Sequence, residues 1–189
     1  MPARSGKQYL QGLKDNSAEV WLEGEHVRDV TSHPGLRRGA QSVANLYDLQ
    51  LDARVSDEMT YTSQTSGEQV GMSFVVPRTL EDLKNRRKMM TRWARTSGGM
   101  LGRTPDYLNV ILMACAEASS YFGANRPEFA QNAIYYYQHA RENDLALTHT
   151  LVNVRRTRSA QGTTGTDEDV ALHITDERDD GIVVKGARV

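Results

Sequence analysis

The strongest constraint on the fold is a change of residue pattern near Thr148. Before it, most segments have the apolar spacing and capping residues of α-helices. After it, three segments are rich in β-forming residues: 148–154, 170–175 and 182–189. The pattern predicts an α+β fold with a mainly helical N-terminal domain, residues 1–143, and the beginning of a β domain, residues 144–189. Because so few strands cannot close a sheet, we expect the chain to stop inside that second domain.

Helices and small β-hairpins alternate in the predicted first domain. Capping residues and apolar spacing predict helices over residues 6–14, 34–50, 80–96, 105–122 and 127–142. Turn-rich residues between β-prone segments predict one hairpin within 20–30 and another joining 59–62 to 70–76. The first domain is therefore expected to be helical, with its hairpins between the early helices.

Composition excludes several classes of protein. The net charge is −1 and 25% of the residues are charged, so neither disorder nor electrostatic binding of nucleic acid is expected. The lone cysteine, Cys115, excludes an internal disulfide, and the histidines lack metal-site spacing, so no metal is expected. No apolar run approaches the ~20 residues that span a bilayer, and residues 1–10 lack a signal peptide's apolar region. The cytoplasm is the expected location.

A few residues could carry chemistry. Arg103 precedes the helix predicted at Pro105, and Tyr107 lies in its first turn, where the helix dipole favours anions. His149 follows the change of pattern and could orient a hydroxyl group or transfer a proton near neutral pH. A solvated arginine, a packed tyrosine and a structural histidine would have the same spacing. The residues alone leave both interpretations open.

Phosphate-binding motifs are absent except for one short basic run. Residues 155–158, RRTR, could hold phosphates because arginine forks match phosphate oxygens, although such a run is also typical of a solvated loop. The chain contains no GxGxxG, P-loop or GxSxG motif. Local motifs therefore establish no enzyme class.

Eight segments resemble one known family, the oxygenase components of two-component, flavin-dependent phenol hydroxylases such as 4-hydroxyphenylacetate 3-monooxygenase. The most specific segment is 102–109, GRTPDYLN. The others are residues 4–10, 31–34, 46–50, 71–74, 79–84, 144–149 and 181–188. Together they extend over nearly the whole chain.

The resemblance implies an acyl-CoA-dehydrogenase-like architecture. Family members have an N-terminal helical domain, a β-barrel-like middle domain and a C-terminal helical bundle that mediates tetramer formation. Family chains continue well beyond the position of residue 189, so only the first domain and the opening of the second would be present here. We therefore expect the sequence to be the N-terminal part of a longer, homotetrameric protein.

The resemblance also implies a reaction. Reduced FAD would arrive by diffusion from a separate flavin reductase and react with O2, and a hydroxyl group would pass to the carbon ortho to a phenol, giving a catechol. By position, Arg103 and Tyr107 would contact the flavin peroxide and the substrate oxygen. His149 would hydrogen-bond the phenol and favour its phenolate. The phenol would be similar to 4-hydroxyphenylacetate.

The segment after His149 resembles the family's flavin-contacting loop. It makes Asn153, Arg155 and Arg158 candidates for flavin contacts. The family commonly has Asn-Pro-Gln-Val-Asn-Arg in this loop, whereas this chain has NVRRTR. Only Asn153 and Arg158 match that pattern, and the missing proline leaves the shape of the loop open.

Two alternatives remain at this point. The 4-hydroxybutyryl-CoA dehydratases are similar in this region but carry cysteines for an iron–sulfur cluster near the positions of Arg103 and Tyr107, and the absence of those cysteines favours the hydroxylases. The second alternative is a non-catalytic fragment with a role in assembly or in weak flavin binding.

Overall fold

A computed structural model of the chain describes residues 3–16, 18–99, 106–152 and 170–188. The chain divides into two compact units between Leu147 and Thr148. The first unit contains helices and two β-hairpins, and the second contains another hairpin. The predicted mixture of helices and small sheets is confirmed. Every sheet within the described ranges has two strands, so these residues form no closed barrel.

The helices of the first unit follow one another with short connections. They are α1 (Gly6–Asp15), α2 (Arg37–Asp48), α3 (Ser56–Met59), α4 (Leu80–Thr96), α5 (Asp106–Glu117), α6 (Ser119–Phe122) and α7 (Pro127–Glu142). The strands pair as antiparallel hairpins: β1 (Val20–Leu22) with β2 (Glu25–Val27), β3 (Thr60–Thr62) with β4 (Gln69–Gly71), and β5 (His173–Arg178) with β6 (Gly181–Lys185).

Local capping chemistry sets the start of two helices. The Ser5 hydroxyl accepts a hydrogen bond from the backbone N–H of Gln8 at 3.1 Å, and Thr79 accepts one from Asp82 at 3.2 Å. In both cases the second side chain accepts from the backbone of the first, which completes a capping box. These two predicted starts are confirmed, as is the start of α7 at Pro127.

Two predicted strands are wrong in part. The strand predicted over 70–76 ends at Gly71, and the chain continues as a 3-10 helix, Met72–Phe74, whose three side chains are all buried. Packing of these side chains against the core overrides their β propensity. In the second unit, residues 148–152 of the strand predicted over 148–154 are irregular.

Two predicted helices have different limits. The helix predicted over 34–50 forms only between Arg37 and Asp48. The helix predicted to continue to residue 122 is interrupted at Ala118, whose φ of −91° and ψ of 19° separate α5 from α6. Apolar spacing does not record such a one-residue change in backbone direction, because the residues on either side keep their helical pattern.

Two apolar clusters hold the first unit together. The first cluster joins α2, α3 and α4 and consists of Leu46, Met59, Met72, Met89 and Trp93. The second cluster joins the 3-10 helix to α5 and α7 and consists of Phe74, Met113, Tyr137 and Ala140. Met72 and Phe74 lie in different clusters, so the 3-10 helix connects the two halves of the core.

Gly6 lies at a close contact between α1 and α2, whereas Gly39 on α2 does not. Alanine substitutions at the two positions should therefore have opposite effects on stability. A Cβ atom at Gly6 would lie 2.5 Å from the carbonyl oxygen of Ala44, whereas one at Gly39 would meet nothing within 4 Å. We expect Gly6→Ala to lower the free energy of unfolding by about 1–3 kcal/mol. Gly39→Ala should raise it by about 0.5–1 kcal/mol, because alanine loses less backbone entropy in a helix. Urea denaturation measures both, and equal stability of the two variants would rule out this helix contact.

Candidate functional site

Tyr107 lies in the first turn of α5, as the sequence predicts, and its side chain is 42% exposed. The helix that carries it is fixed by buried residues: Met113 packs with Phe74 and Tyr137, and Asn109 is 3% exposed. The first backbone N–H groups of an α-helix have no acceptor within the helix, so this end of α5 favours a negatively charged oxygen. A phenol placed here can donate a hydrogen bond to such an oxygen.

The remaining candidates fall into two groups. His149 belongs to the second unit, two residues after the division, and its side chain is exposed. Arg103 and the three candidates for flavin contact, Asn153, Arg155 and Arg158, lie outside the described residues. The structure thus describes one candidate in each unit, Tyr107 in the first and His149 in the second.

A buried polar cluster, which we call the Asp144 cluster, connects the N-terminus, α2 and the end of α7. The Asp144 carboxylate accepts hydrogen bonds from the backbone N–H of Arg4 at 2.9 Å and from Gln50 Nε2 at 2.8 Å. Its carbonyl oxygen accepts from Arg4 Nε at 2.9 Å and from the Tyr47 hydroxyl at 3.1 Å. Burial raises the pKa of the Asp144 carboxyl, although the hydrogen bonds from Arg4 and Gln50 act in the opposite direction.

Two more segments, which contain Ser73 and Asn109, contribute to the same buried region. A hydrogen bond of 2.8 Å runs from Asn109 Nδ2 to Ser73 Oγ, and both residues are buried. Asn109 lines a small cavity with Gln50 and Asp144. Five of the eight segments that carry the family resemblance, residues 4–10, 46–50, 71–74, 102–109 and 144–149, therefore contribute to one buried region. No local pattern in the sequence indicates this region, because these contacts join residues as much as 140 positions apart.

Removal of the Asp144 side chain should destabilise the first unit. Asp144→Ala leaves the Arg4 N–H and Gln50 Nε2 without their acceptor, and alanine is disfavoured at the φ of 46° found here. We expect the free energy of unfolding to fall by about 3 kcal/mol. Asp144→Asn should cost less, because asparagine tolerates positive φ and keeps one acceptor oxygen. Equal urea midpoints for the two variants would contradict this account.

A separate pocket of about 740 Å³ lies beside the β3–β4 hairpin, α5 and α7. Its wall includes Tyr61, Tyr137 and Arg141. The Arg141 guanidinium already donates to Thr65 Oγ1 at 2.7 Å and pairs with Glu142 at 2.8 Å. Burial is the larger cause and the nearby Tyr137 the smaller cause of a raised pKa of Tyr61, so this phenol stays neutral. The i, i+4 spacing of Tyr137 and Arg141 on α7 is the sequence pattern that could have predicted that these two side chains lie together.

One face of α4 is basic. It lines a groove of about 690 Å³ with Lys84, Arg87, Lys88, Arg92 and Arg95, and Arg92 pairs with Glu58 at 2.5 Å. This local concentration of charge is hidden in the total of −1. Within the described ranges, no helix has both the length and the apolar character needed to cross a bilayer. Nor do these ranges bring together three or more His, Cys, Asp or Glu side chains that could hold a metal ion.

Comparison with known protein families identifies the family of this chain. A family model described as the N-terminal part of 4-hydroxyphenylacetate 3-hydroxylase matches residues 5–189. The chain belongs to this family. The family that the eight segments predicted is therefore confirmed.

Individual relatives agree with this assignment. The oxygenase component of 4-hydroxyphenylacetate 3-monooxygenase from Geobacillus sp. (strain PA-9) is 44% identical over the whole chain. A crystal structure of such an oxygenase component, complexed with FAD and 4-hydroxyphenylacetate, is 41% identical, with a TM-score of 0.85 over 98% of this chain. An archaeal 4-hydroxybutyryl-CoA dehydratase from N. maritimus has the same fold, with 22% identity and a TM-score of 0.78.

The match covers only part of these relatives. The chain spans 38% of the length of the Geobacillus protein and 38% of the oxygenase chain in the complex with FAD. The properties of the intact relatives therefore belong to chains that are longer than these 189 residues.

Proposed function

We propose that the 189 residues are the N-terminal part of the oxygenase component of a two-component monooxygenase. The intact enzyme uses reduced FAD and O2 to hydroxylate a phenol similar to 4-hydroxyphenylacetate at the carbon ortho to its hydroxyl group, giving a catechol. The observation that carries the proposal is the similarity to an oxygenase that binds FAD and 4-hydroxyphenylacetate, which extends over 98% of this chain.

The position of Tyr107 supports a phenol site at the start of α5. Tyr107 is partly exposed there, while Asn109 and Met113 bury the opposite side of the helix. Ligand sites commonly place a few polar groups on rigid elements, and α5 is such an element. Bound reduced FAD would supply the electrons that activate O2, and Arg103, Asn153, Arg155 and Arg158 are proposed, from the family resemblance, to hold it.

The protein's own contribution is to orient the phenol and to move its proton. We assign Tyr107 and Arg103 to hydrogen bonds with the reacting oxygen atoms. His149 hydrogen-bonds the phenol and favours its phenolate, because a neutral imidazole nitrogen accepts a hydrogen bond from a hydroxyl group. The resulting phenolate is the better nucleophile toward an electrophilic oxygen.

The proposal includes the organisation of the intact protein. The sequence pattern predicts a helical domain over residues 1–143 and the beginning of a β-barrel-like middle domain over 144–189, in an acyl-CoA-dehydrogenase-like architecture completed by a helical bundle. We place the boundary after Leu147, because Asp144 packs in the first unit. The intact protein is a cytoplasmic homotetramer. A separate flavin reductase supplies its reduced FAD.

The proposed function predicts a difference in flavin affinity. The intact protein should bind reduced FAD more tightly than oxidised FAD, because the cofactor arrives reduced and leaves oxidised. Anaerobic titration measures the first Kd and aerobic titration the second, and addition of O2 and 4-hydroxyphenylacetate to the reduced complex should give the catechol. Equal, tight binding of both forms, or consumption of O2 without catechol, would overturn the proposal.

A further inference from the structure

The side-chain amide of Asn109 is only half satisfied. Its Nδ2 donates to Ser73 Oγ, whereas its Oδ1 is buried and has no hydrogen-bond partner among the described residues. Buried polar atoms in folded proteins nearly always have a partner, which is either another protein group or an ordered water molecule. Asn109 belongs to the segment 102–109 that most strongly marks the family, yet none of the roles assigned above uses it.

The cavity that Asn109 lines has the size of one water molecule. About 10 Å³ is available to a water molecule in it, close to the 10–15 Å³ that one water needs. The wall combines the apolar side chains of Leu46 and Trp93 with polar groups of Gln50, Asn109 and Asp144. A water molecule requires two to four polar partners, and this wall offers them.

Gly71 shows how closely the polar groups approach one another. A Cβ atom at this position would lie 2.8 Å from Gln50 Oε1, 3.5 Å from Asp144 Oδ1 and 3.6 Å from Ser73 Oγ. The backbone of Gly71 has φ −59° and ψ 133°, which any residue can adopt. The glycine therefore keeps space between these oxygen atoms and is not required by the backbone conformation.

We propose that this cavity binds one water molecule, which bridges the amide of Asn109 to Gln50 or Asp144. Water suits the site because it both donates and accepts hydrogen bonds. It can donate to Asn109 Oδ1, and if the amide is turned over it can accept from Nδ2, while Ser73 bonds the other atom in either case. A cation could satisfy only the first orientation, since it interacts with oxygen atoms alone.

The bridge makes Asn109 a positioning residue for Tyr107. Both lie in the first turns of α5, and the water molecule joins this end of the helix to the residues that follow α2 or α7, Gln50 or Asp144. The start of α5 would then be held by a buried hydrogen-bonded chain in addition to the apolar contacts of Met113. The consequence for catalysis rests on the proposed function, whereas the water site does not.

The first experiment is a crystal structure of the intact protein at a resolution that shows ordered water. We expect one water molecule within hydrogen-bond distance of the Asn109 amide and of Gln50 or Asp144. An empty cavity, or a protein atom bonded to the second atom of the amide, would overturn the water site. This result does not depend on whether the protein hydroxylates phenols.

The second experiment compares Asn109→Ala with Asn132→Ala, an exposed substitution on α7. Hydrogen exchange of the amides at the start of α5 should become about tenfold faster in Asn109→Ala and should not change in the control. At a temperature where both variants are folded, kcat for hydroxylation should fall severalfold in Asn109→Ala with KM little changed. If the crystal structure shows the water molecule but Asn109→Ala changes neither hydrogen exchange nor kcat, the positioning role is refuted and the water site is retained.

Discussion

Replacing His149 with alanine in the intact protein is expected to lower kcat/KM for phenol hydroxylation by about 10²–10⁴-fold, the usual contribution of a positioned acid or base. Without the imidazole, the phenol keeps its proton and is a weaker nucleophile. The loss should shrink at high pH, because the substrate then ionises in solution without help from the protein. Steady-state rates of catechol formation over a range of pH would measure both effects.

His173→Ala provides a matched control for this substitution. His173 is also an exposed histidine of the second unit, at the start of β5, and no role in the reaction is assigned to it. Its removal should leave the rate within about twofold, as is usual for surface substitutions outside a site. Equal losses in the two variants would point to a general disturbance of the unit, and a near-normal rate for His149→Ala would remove His149 from the mechanism.

Local chemistry made much of the fold predictable. The capping boxes at Ser5 and Thr79 and the proline at 127 act within a few residues of their own positions, so the sequence displays them directly. The same is true of Tyr107, whose place in the first turn of α5 follows from the residues beside it. The hairpins were equally predictable, because their β-prone segments and turn residues lie next to each other in the chain.

Features that depend on distant residues were not predictable. The 3-10 helix Met72–Phe74 replaces a predicted strand because its side chains enter two different apolar clusters. The Asp144 cluster joins Arg4 to Asp144 across 140 positions, and no local pattern indicates such a contact. Single-sequence patterns report what a residue does with its near neighbours, so they describe elements better than they describe how the elements pack.

The Asp144 cluster changes the interpretation of the family segments. Arg4 and Gln50 donate hydrogen bonds to Asp144, and Asn109 donates one to Ser73, although the residues of each set come from different segments of the resemblance. Only one described residue of segment 102–109, Tyr107, is assigned a place in the reaction. Much of the resemblance therefore lies in residues that pack the first unit, and a family match over such residues supports the fold more directly than it supports any single catalytic role.

Phe74 belongs to the second apolar cluster, and its replacement should strongly destabilise the first unit. Phe74 is fully buried, contacts Met113, Tyr137 and Ala140, and accepts a hydrogen bond from the Tyr137 hydroxyl through its carbonyl oxygen. Phe74→Ala should lower the free energy of unfolding by about 3–5 kcal/mol, because the ring leaves a cavity between α5 and α7 that the backbone cannot close. The hydrogen bond from Tyr137 does not use the ring, so the loss reports on packing.

Phe129→Ala is the matched control, since the Phe129 ring is 44% exposed and rests under the Arg126 guanidinium at 4.9 Å. Its loss should cost about 1 kcal/mol or less, the scale of an exposed cation–π contact. Urea denaturation of the two variants should therefore give clearly different midpoints with the same m-value. If Phe74→Ala were as stable as Phe129→Ala, the second apolar cluster could not be what fixes α5, and the placement of Tyr107 would have to depend on hydrogen bonds alone.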